Sequence, residues 1–163
     1  MNKKVLKDSD TLEWIMKSVV RVAKLSTCKR SKCGSVIVKK YYERETEIIA
    51  EGYNSMPCDE TGECFKDSLP SNFKSDKTCC VHAEQRAILD ALEKGQDLLA
   101  TDIYFIRLDE NDNPIPAGEP YCTICSKMAL DVGISRFVLW HKEGWTSYDT
   151  KYYNELSFKY QPQ

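Results

Sequence analysis

The sequence lacks several features that would each have assigned it to a class. No apolar run approaches the ~18–20 residues needed to cross a bilayer. The start, Met1-Asn2-Lys3-Lys4, leads into Val5-Leu6-Lys7-Asp8, an apolar stretch too short for a secretory signal. A cytoplasmic location is therefore the default expectation, with no membrane partner. A basic surplus is also missing: 23 Lys and Arg stand against 25 Asp and Glu, for a net charge of -2. Proteins whose main task is to grip a nucleic-acid backbone usually show a strong basic excess, so an anionic ligand here is expected to be small and met by a local cluster. Histidine is scarce, at two in 163 residues, and no internal repeat or linker divides the chain.

Cysteine, by contrast, is abundant, with eight residues. Disulfides are rare in reducing compartments, so clustered cysteines there point to metal binding or catalysis; small buried hydrophobes are the alternative. A length of 163 residues suits one domain, 1–163, with a hydrophobic core of its own.

The pattern predicts a helix over 10–26, with Asp10 and Glu13 at capping-box spacing. Leu12, Ile15, Met16, Val19, Val22 and Ala23 form its apolar face. Strands are expected at 34–38 and 45–50, joined by a polar hairpin. Residues 53–79 carry no periodicity, and so long a loop in a compact domain is usually functional or pinned. A second helix is expected over 82–94, stopped by Gly95, and a strand over 102–108. An acidic turn-rich loop, a third helix over 122–133 and a strand over 134–140 follow. The aromatic tail is expected to hold a short helix. Alternating strands and helices after residue 80 imply an α/β sandwich of two or three layers around one mixed sheet.

The strongest chemical signal joins His82-Ala83-Glu84 to Pro120-Tyr121-Cys122-Thr123-Ile124-Cys125. Imidazole and thiolate are good zinc ligands, and catalytic zinc keeps three protein ligands and one open position. Two thiols three apart on a first helical turn face the same way, and the helix N-terminus favours their ionised forms. Glu84, two residues after His82, can reach a metal-held water without ligating the metal. Zinc brings the pKa of such a water to ~7, which suits hydrolysis at an electrophilic carbon. Each fragment alone says little; a Cys-x-x-Cys may be half a structural site or a redox pair. The four residues together, each at a helix start, are far more specific.

These residues resemble the signature of zinc nucleobase deaminases. With Ser26 to Arg30, Cys33 to Val38, Gly52-Tyr53-Asn54 and His82 to Ile88, the chain resembles the cytidine and deoxycytidylate deaminase superfamily, in particular its deoxycytidylate branch. The resemblance implies a three-layer α/β sandwich with a mixed central sheet flanked by helices. It implies zinc held by His82, Cys122 and Cys125, with Glu84 carrying protons while water adds to C4 of cytosine. The implied reaction converts dCMP to dUMP plus ammonia. Ala83, through its backbone N–H, and Asn54, through a sugar hydroxyl, would contact substrate. Arg30, with Lys29 and Lys32, would meet a phosphate; a solvated basic turn is the alternative. A second, structural zinc on Cys28, Cys64, Cys79 and Cys80 is a further implication, with Cys58 as another candidate ligand and free buried thiols as the alternative. A homo-oligomer is expected on the same ground.

Other deaminase substrates compete: cytidine, another nucleoside or nucleobase, or a tRNA. The tRNA reading fits poorly with Ile124 between the zinc cysteines and with the negative charge. A zinc-stabilised binding module without catalysis has no use for Glu84. Two departures from the family pattern stand out. Tyr121 separates Pro120 from Cys122, and the segment from Leu108 to Gly118 is longer and more acidic than usual, suiting a lid or a subunit contact. His141 has no evident partner and is read as structural, as are Trp140, Trp145, Tyr148, Tyr152 and Tyr153.

Overall fold

The computed structural model describes residues 2–41, 45–60, 65–70 and 79–160. Among these, seven strands form one sheet: β1 (Lys3–Val5), β2 (Lys32–Lys40), β3 (Thr46–Tyr53), β4 (Asp102–Leu108), β5 (Pro114–Ile115), β6 (Arg136–His141) and β7 (Gly144–Asp149). The helices are α1 (Asp10–Ala23), α2 (Ala83–Glu93), α3 (Thr123–Asp131) and α4 (Thr150–Lys159). The strand order is β1-β7-β6-β4-β2-β3, with β5 added to β4. Only β4 and β6 run parallel, joined through α3; the other pairs are antiparallel. At the start of that parallel pair Arg136 grips buried Asp102 through Nε at 2.7 Å and an Nη at 2.6 Å.

Strand alternation divides the interior into two layers. Val36, Val38, Tyr104, Ile106 and Val138 face one side and pack on Leu12, Ile15, Val19 and Val22 of α1. Ile37, Ile103, Phe137 and Leu139 face the other side, against Ala87, Ile88 and Ala91 of α2, Ala129 of α3 and Tyr153 of α4. The result is the expected three-layer sandwich, with α1 on one face and α2, α3 and α4 on the other. No helix among the described residues is long and apolar enough to cross a membrane.

Three expectations need correction. The cap of α1 is Ser9, whose Oγ accepts the Leu12 N–H at 3.3 Å, rather than Asp10. The helix stops at Ala23, three residues short of the expected end, which frees Ser26 to turn toward the site. The tail contains a strand as well as a helix, because β7 folds back on β6 and then leads into α4. In the long loop after β3, two short 3-10 turns cover Pro57–Asp59 and Phe65–Ser68.

Candidate active site

Two helix starts meet beneath one cavity. His82 has extended backbone and precedes α2; its N–H donates to Gln85 Oε1 at 3.0 Å. Val81, just before it, is pinned by donating its N–H to the Ser55 carbonyl at 2.9 Å. Cys122 occupies the same position before α3, where its Sγ accepts the Cys125 N–H at 3.5 Å. The first turns thus aim three soft donors at one point. His82 Nδ1 lies 3.3 Å from Cys125 Sγ and 3.4 Å from Cys122 Sγ, and the two sulfurs are 3.3 Å apart.

This triangle fits zinc. Bonds of ~2.3 Å to sulfur and ~2.0 Å to nitrogen in tetrahedral geometry imply ligand separations of ~3.5–3.8 Å, slightly wider than those found. Both cysteines are buried and His82 is half-buried. Among the described residues no other trio of His, Cys, Asp or Glu comes as close together. The two thiols push each other's acidity in opposite directions. Hydrogen bonding from Cys125 holds the Cys122 thiol well below its ordinary range, helped by His82 and opposed by burial. Cys125, which supplies that bond, is driven upward, and burial and Glu84 add to the rise. A dication bound by His82, Cys122 and Cys125 would favour both sulfurs as thiolates.

Glu84 stands beside this triangle on the first turn of α2, with 6% of its surface exposed. Burial pushes its carboxyl up to about 7; His82 opposes the rise and Cys122 adds to it. A neighbouring dication acts in the lowering direction. The group is therefore suited to exchange a proton near neutrality.

The cavity above has a volume of about 160 Å³, room for a few water molecules or a small flat ring. His82, Ala83, Glu84 and Cys122 form its base. The sheet contributes Cys33, Phe105, Arg107 and Leu139, and α4 contributes Tyr153. Arg30 and Ser31 border it from the α1–β2 connection, and Ala117 to Glu119 with Tyr121 border it from the segment before α3.

The four residues expected to do the chemistry are thus assembled. Asn54 also lines the cavity, and its side chain already holds the surrounding loop. Its Oδ1 accepts from Ser26 Oγ at 2.6 Å and from the Cys33 N–H at 2.7 Å, and its Nδ2 donates to the Ser31 carbonyl at 2.9 Å. The basic cluster divides. Arg30 is exposed at the rim, Lys29 lies off the cavity, and Lys32 is tied to Asp112 at 2.7 Å. Cys28, Cys79 and Cys80 border the cavity as half-buried thiols. Cys79 Sγ accepts the Phe65 N–H at 2.9 Å, while Cys64 lies outside the described residues. His141 is structural, bonded through Nε2 to the Tyr148 hydroxyl at 3.0 Å.

Sequence reasoning missed Arg107, Phe105 and Tyr121 as cavity walls. The signal for the first two was present in β4. Its period of two places Ile103, Phe105 and Arg107 on one face, which makes the last of them the polar end of an apolar row.

A mixed-sheet sandwich with a His/Cys/Cys triangle across two helix starts, and a buried Glu beside it, defines the zinc-dependent nucleobase-deaminase class. The chain belongs to the cytidine and deoxycytidylate deaminase family: the model of its zinc-binding region matches residues 9–141. It is 33% identical over 130 residues to a deoxycytidylate deaminase of Saccharomyces cerevisiae, covering 77% of this chain but 36% of that one. It thus spans about a third of the yeast relative's length. A deoxycytidylate deaminase of Mycobacterium phage D29 is 31% identical over 135 residues, covering 77% of this chain and 91% of that one. The fold is shared with a dCMP deaminase from the cyanophage S-TIM5. In its apo form that structure gives a TM-score of 0.53 at 22% identity, over 80% of this chain and 82% of that one. The same protein is also solved in complex with dCMP and dUMP, with a TM-score of 0.52.

Proposed function

We propose that this protein is a zinc-dependent hydrolase that converts dCMP to dUMP and ammonia. The observation that carries the reading is a buried Glu84 facing the cavity beside His82, Cys122 and Cys125. The relatives named deoxycytidylate deaminases, and the cyanophage enzyme solved with dCMP and dUMP, support that choice of substrate. Zinc, when bound, supplies Lewis acidity that brings water toward its conjugate base near neutral pH. His82, Cys122 and Cys125 hold the metal. The cavity walls, with Phe105 and Leu139 on the sheet side, hold a flat pyrimidine and exclude bulk water. Glu84 takes a proton from the water adding to C4 and delivers it to ring N3. It then passes the second proton to the exocyclic amine, which leaves as ammonia while the carbonyl of uracil forms. The Ala83 N–H borders the base, and Asn54 and Arg30 border the sugar and phosphate end.

A homo-oligomer accords with Leu89 and Leu92 of α2 and Leu130 of α3, which stay exposed in the single chain. A cytoplasmic setting accords with eight cysteines in one chain, since a reducing compartment keeps clustered thiols available for metal.

Glu84→Gln tests the reading. The variant should retain one equivalent of zinc at the His82 site by elemental analysis, and its ammonia release from dCMP should fall by at least ~10³-fold, in line with loss of the general acid–base and of an electrostatic partner of the transition state. A zinc-loaded wild-type protein that releases no ammonia from dCMP, CMP, deoxycytidine or cytidine would overturn it.

A further inference from the structure

Arg107 lines the cavity, and the deamination itself does not use its chemistry. It sits at the end of β4, opposite Cys33 of β2 and Ile115 of β5 in the sheet register. Its Nε is buried and has no hydrogen-bond partner, and among the described residues Arg107 forms no ion pair. The carboxylates that share the cavity, Glu84 and Glu119, do not close on it. Nor does Cys33 serve as a counter-ion, because burial pushes its thiol up to about 12 and keeps it neutral.

A guanidinium held this way is costly. A buried donor without a partner forfeits ~1–3 kcal/mol, and a half-buried cation with no counter-charge adds to that. Elsewhere Arg136 pairs with Asp102, Lys32 with Asp112 and Arg86 with Asp59. Arg107, by contrast, lines the cavity above Glu84. An arginine fork matches the geometry of a phosphate, which it binds through two parallel N–H groups.

We infer that Arg107 anchors the 5′-phosphate of the nucleotide, and that this residue, more than exposed Arg30, sets the preference for a nucleoside monophosphate over the free nucleoside. The inference rests on the deaminase reading for the identity of the nucleoside but not for the anion. The β4–β5 hairpin holds the arginine in place. Asp109 Oδ1 accepts the N–H groups of Asn111 and Asn113, each at 2.8 Å, and Lys32 reaches across to Asp112. These contacts fix the β4–β5 hairpin next to the strand end that carries Arg107. Lys32, which does not line the cavity, is tied to that hairpin through Asp112.

The test is binding as well as turnover. Affinities of the zinc-loaded protein for dUMP and for deoxyuridine are measured by calorimetry, and kcat/KM for dCMP and for deoxycytidine by ammonia release. Both are repeated on Arg107→Ala, Arg107→Lys and Arg30→Ala. Loss of a charge-assisted contact of ~1.5–3 kcal/mol corresponds to roughly 10- to 100-fold. The dUMP-to-deoxyuridine and dCMP-to-deoxycytidine preferences should shrink by that factor in Arg107→Ala, recover partly in Arg107→Lys and change less in Arg30→Ala. Should Arg107→Ala fail to fold, Arg107→Gln gives the same readout, since it keeps a polar head without the charge. Equal losses for nucleotide and nucleoside, or a larger effect at Arg30, would overturn the assignment. A wild type that deaminates deoxycytidine as well as dCMP and binds dUMP no tighter than deoxyuridine would remove the anion site and leave the deaminase standing. Arg107-dependent dUMP binding without any deamination would do the reverse.

Discussion

Asn54 holds together three pieces of chain that meet at the cavity: the end of β3, the turn after α1 and the start of β2. Ser26 and the Cys33 N–H donate to its Oδ1, and its Nδ2 donates to Ser31. Ser26 Oγ in turn accepts the Cys28 N–H at 3.2 Å. The sequence placed this residue at the substrate from its resemblance alone; the structure adds a positioning task that the local pattern Gly52-Tyr53-Asn54 does not reveal, because all three partners lie more than twenty residues away. Asn54→Ala strips the Cys33 N–H and the Ser31 carbonyl, both half-buried, of their partners, at roughly 0.5–1.5 kcal/mol for each hydrogen bond lost. With ~2–4 °C of melting temperature per kcal/mol in a domain of this size, calorimetry should record a fall of several degrees. Zinc content should persist, because His82, Cys122 and Cys125 rest on other elements. The metal site was legible for the opposite reason to Asn54. Its spacings, His-x-Glu and Cys-x-x-Cys, are local and lie at helix starts, where chain direction is fixed by the first turn. Arg107 was hidden because a charged residue closing a strand looks like ordinary solvation until the sheet face is known.

Helix α2 carries both His82 and Glu84 to the cavity, and β3 sets where that helix sits. At Gly52 the strand backbone touches the first turns of α2. A Cβ there would stand 2.4 Å from the Ala87 nitrogen, 2.5 Å from the Ala83 carbonyl oxygen and 2.8 Å from the Arg86 carbonyl carbon. Those are backbone atoms, so no side chain can swing aside. Gly52→Ala should therefore push α2 away from β3, at ~1–3 kcal/mol or more for overpacking. The displacement carries His82 off the sulfur pair. The expected outcome is weaker zinc retention against a chelator together with reduced turnover; full zinc affinity with normal kcat would contradict this account of α2 placement. At this scale the legible elements were those with a strong apolar rhythm of their own: α1, β2, β3, α2, β4, α3 and β6. The unread ones depend on partners. β1 is three exposed residues that exist as a strand because β7 offers an edge. β7 buries Thr146 and Ser147 beside Trp145 and Tyr148, so its alternation is masked by polar residues. α4 is expected only as a short helix somewhere in the tail; its place is set by Tyr153 stacking on Phe137 of β6 at 4.0 Å.

Across the whole molecule, the sheet interior conceals acids that the unfolded chain would ionise in alkali. Tyr104, 1% exposed between α1 and the sheet, is raised far above its ordinary 10.0 mainly by burial, with Asp102 adding to the rise. Its ring meets Trp145 edge-on at 5.2 Å. Tyr153 on the other face is raised in the same way, by burial first and Glu84 next. Cys33 rises from 9.0 to about 12, mainly through burial. Each of these groups keeps its proton when folded and loses it when unfolded above the unfolded pKa. The unfolded state then binds fewer protons, so stability falls as pH rises. The decline begins near pH 9 for Cys33 and near pH 10 for the tyrosines, and for Cys33 it ends near pH 12. Each group contributes a slope of at most ~1.4 kcal/mol per pH unit. Urea unfolding of the zinc-saturated protein between pH 8 and 11 should show this loss. Tyr104→Phe keeps the packing against Trp145 and removes one ionisable group, so its curve should descend less steeply above pH 10 while matching the parent below pH 9. Parallel curves for the two proteins would mean that the Tyr104 proton is not what alkali removes, and that the alkaline weakness lies elsewhere than in the layer between α1 and the sheet.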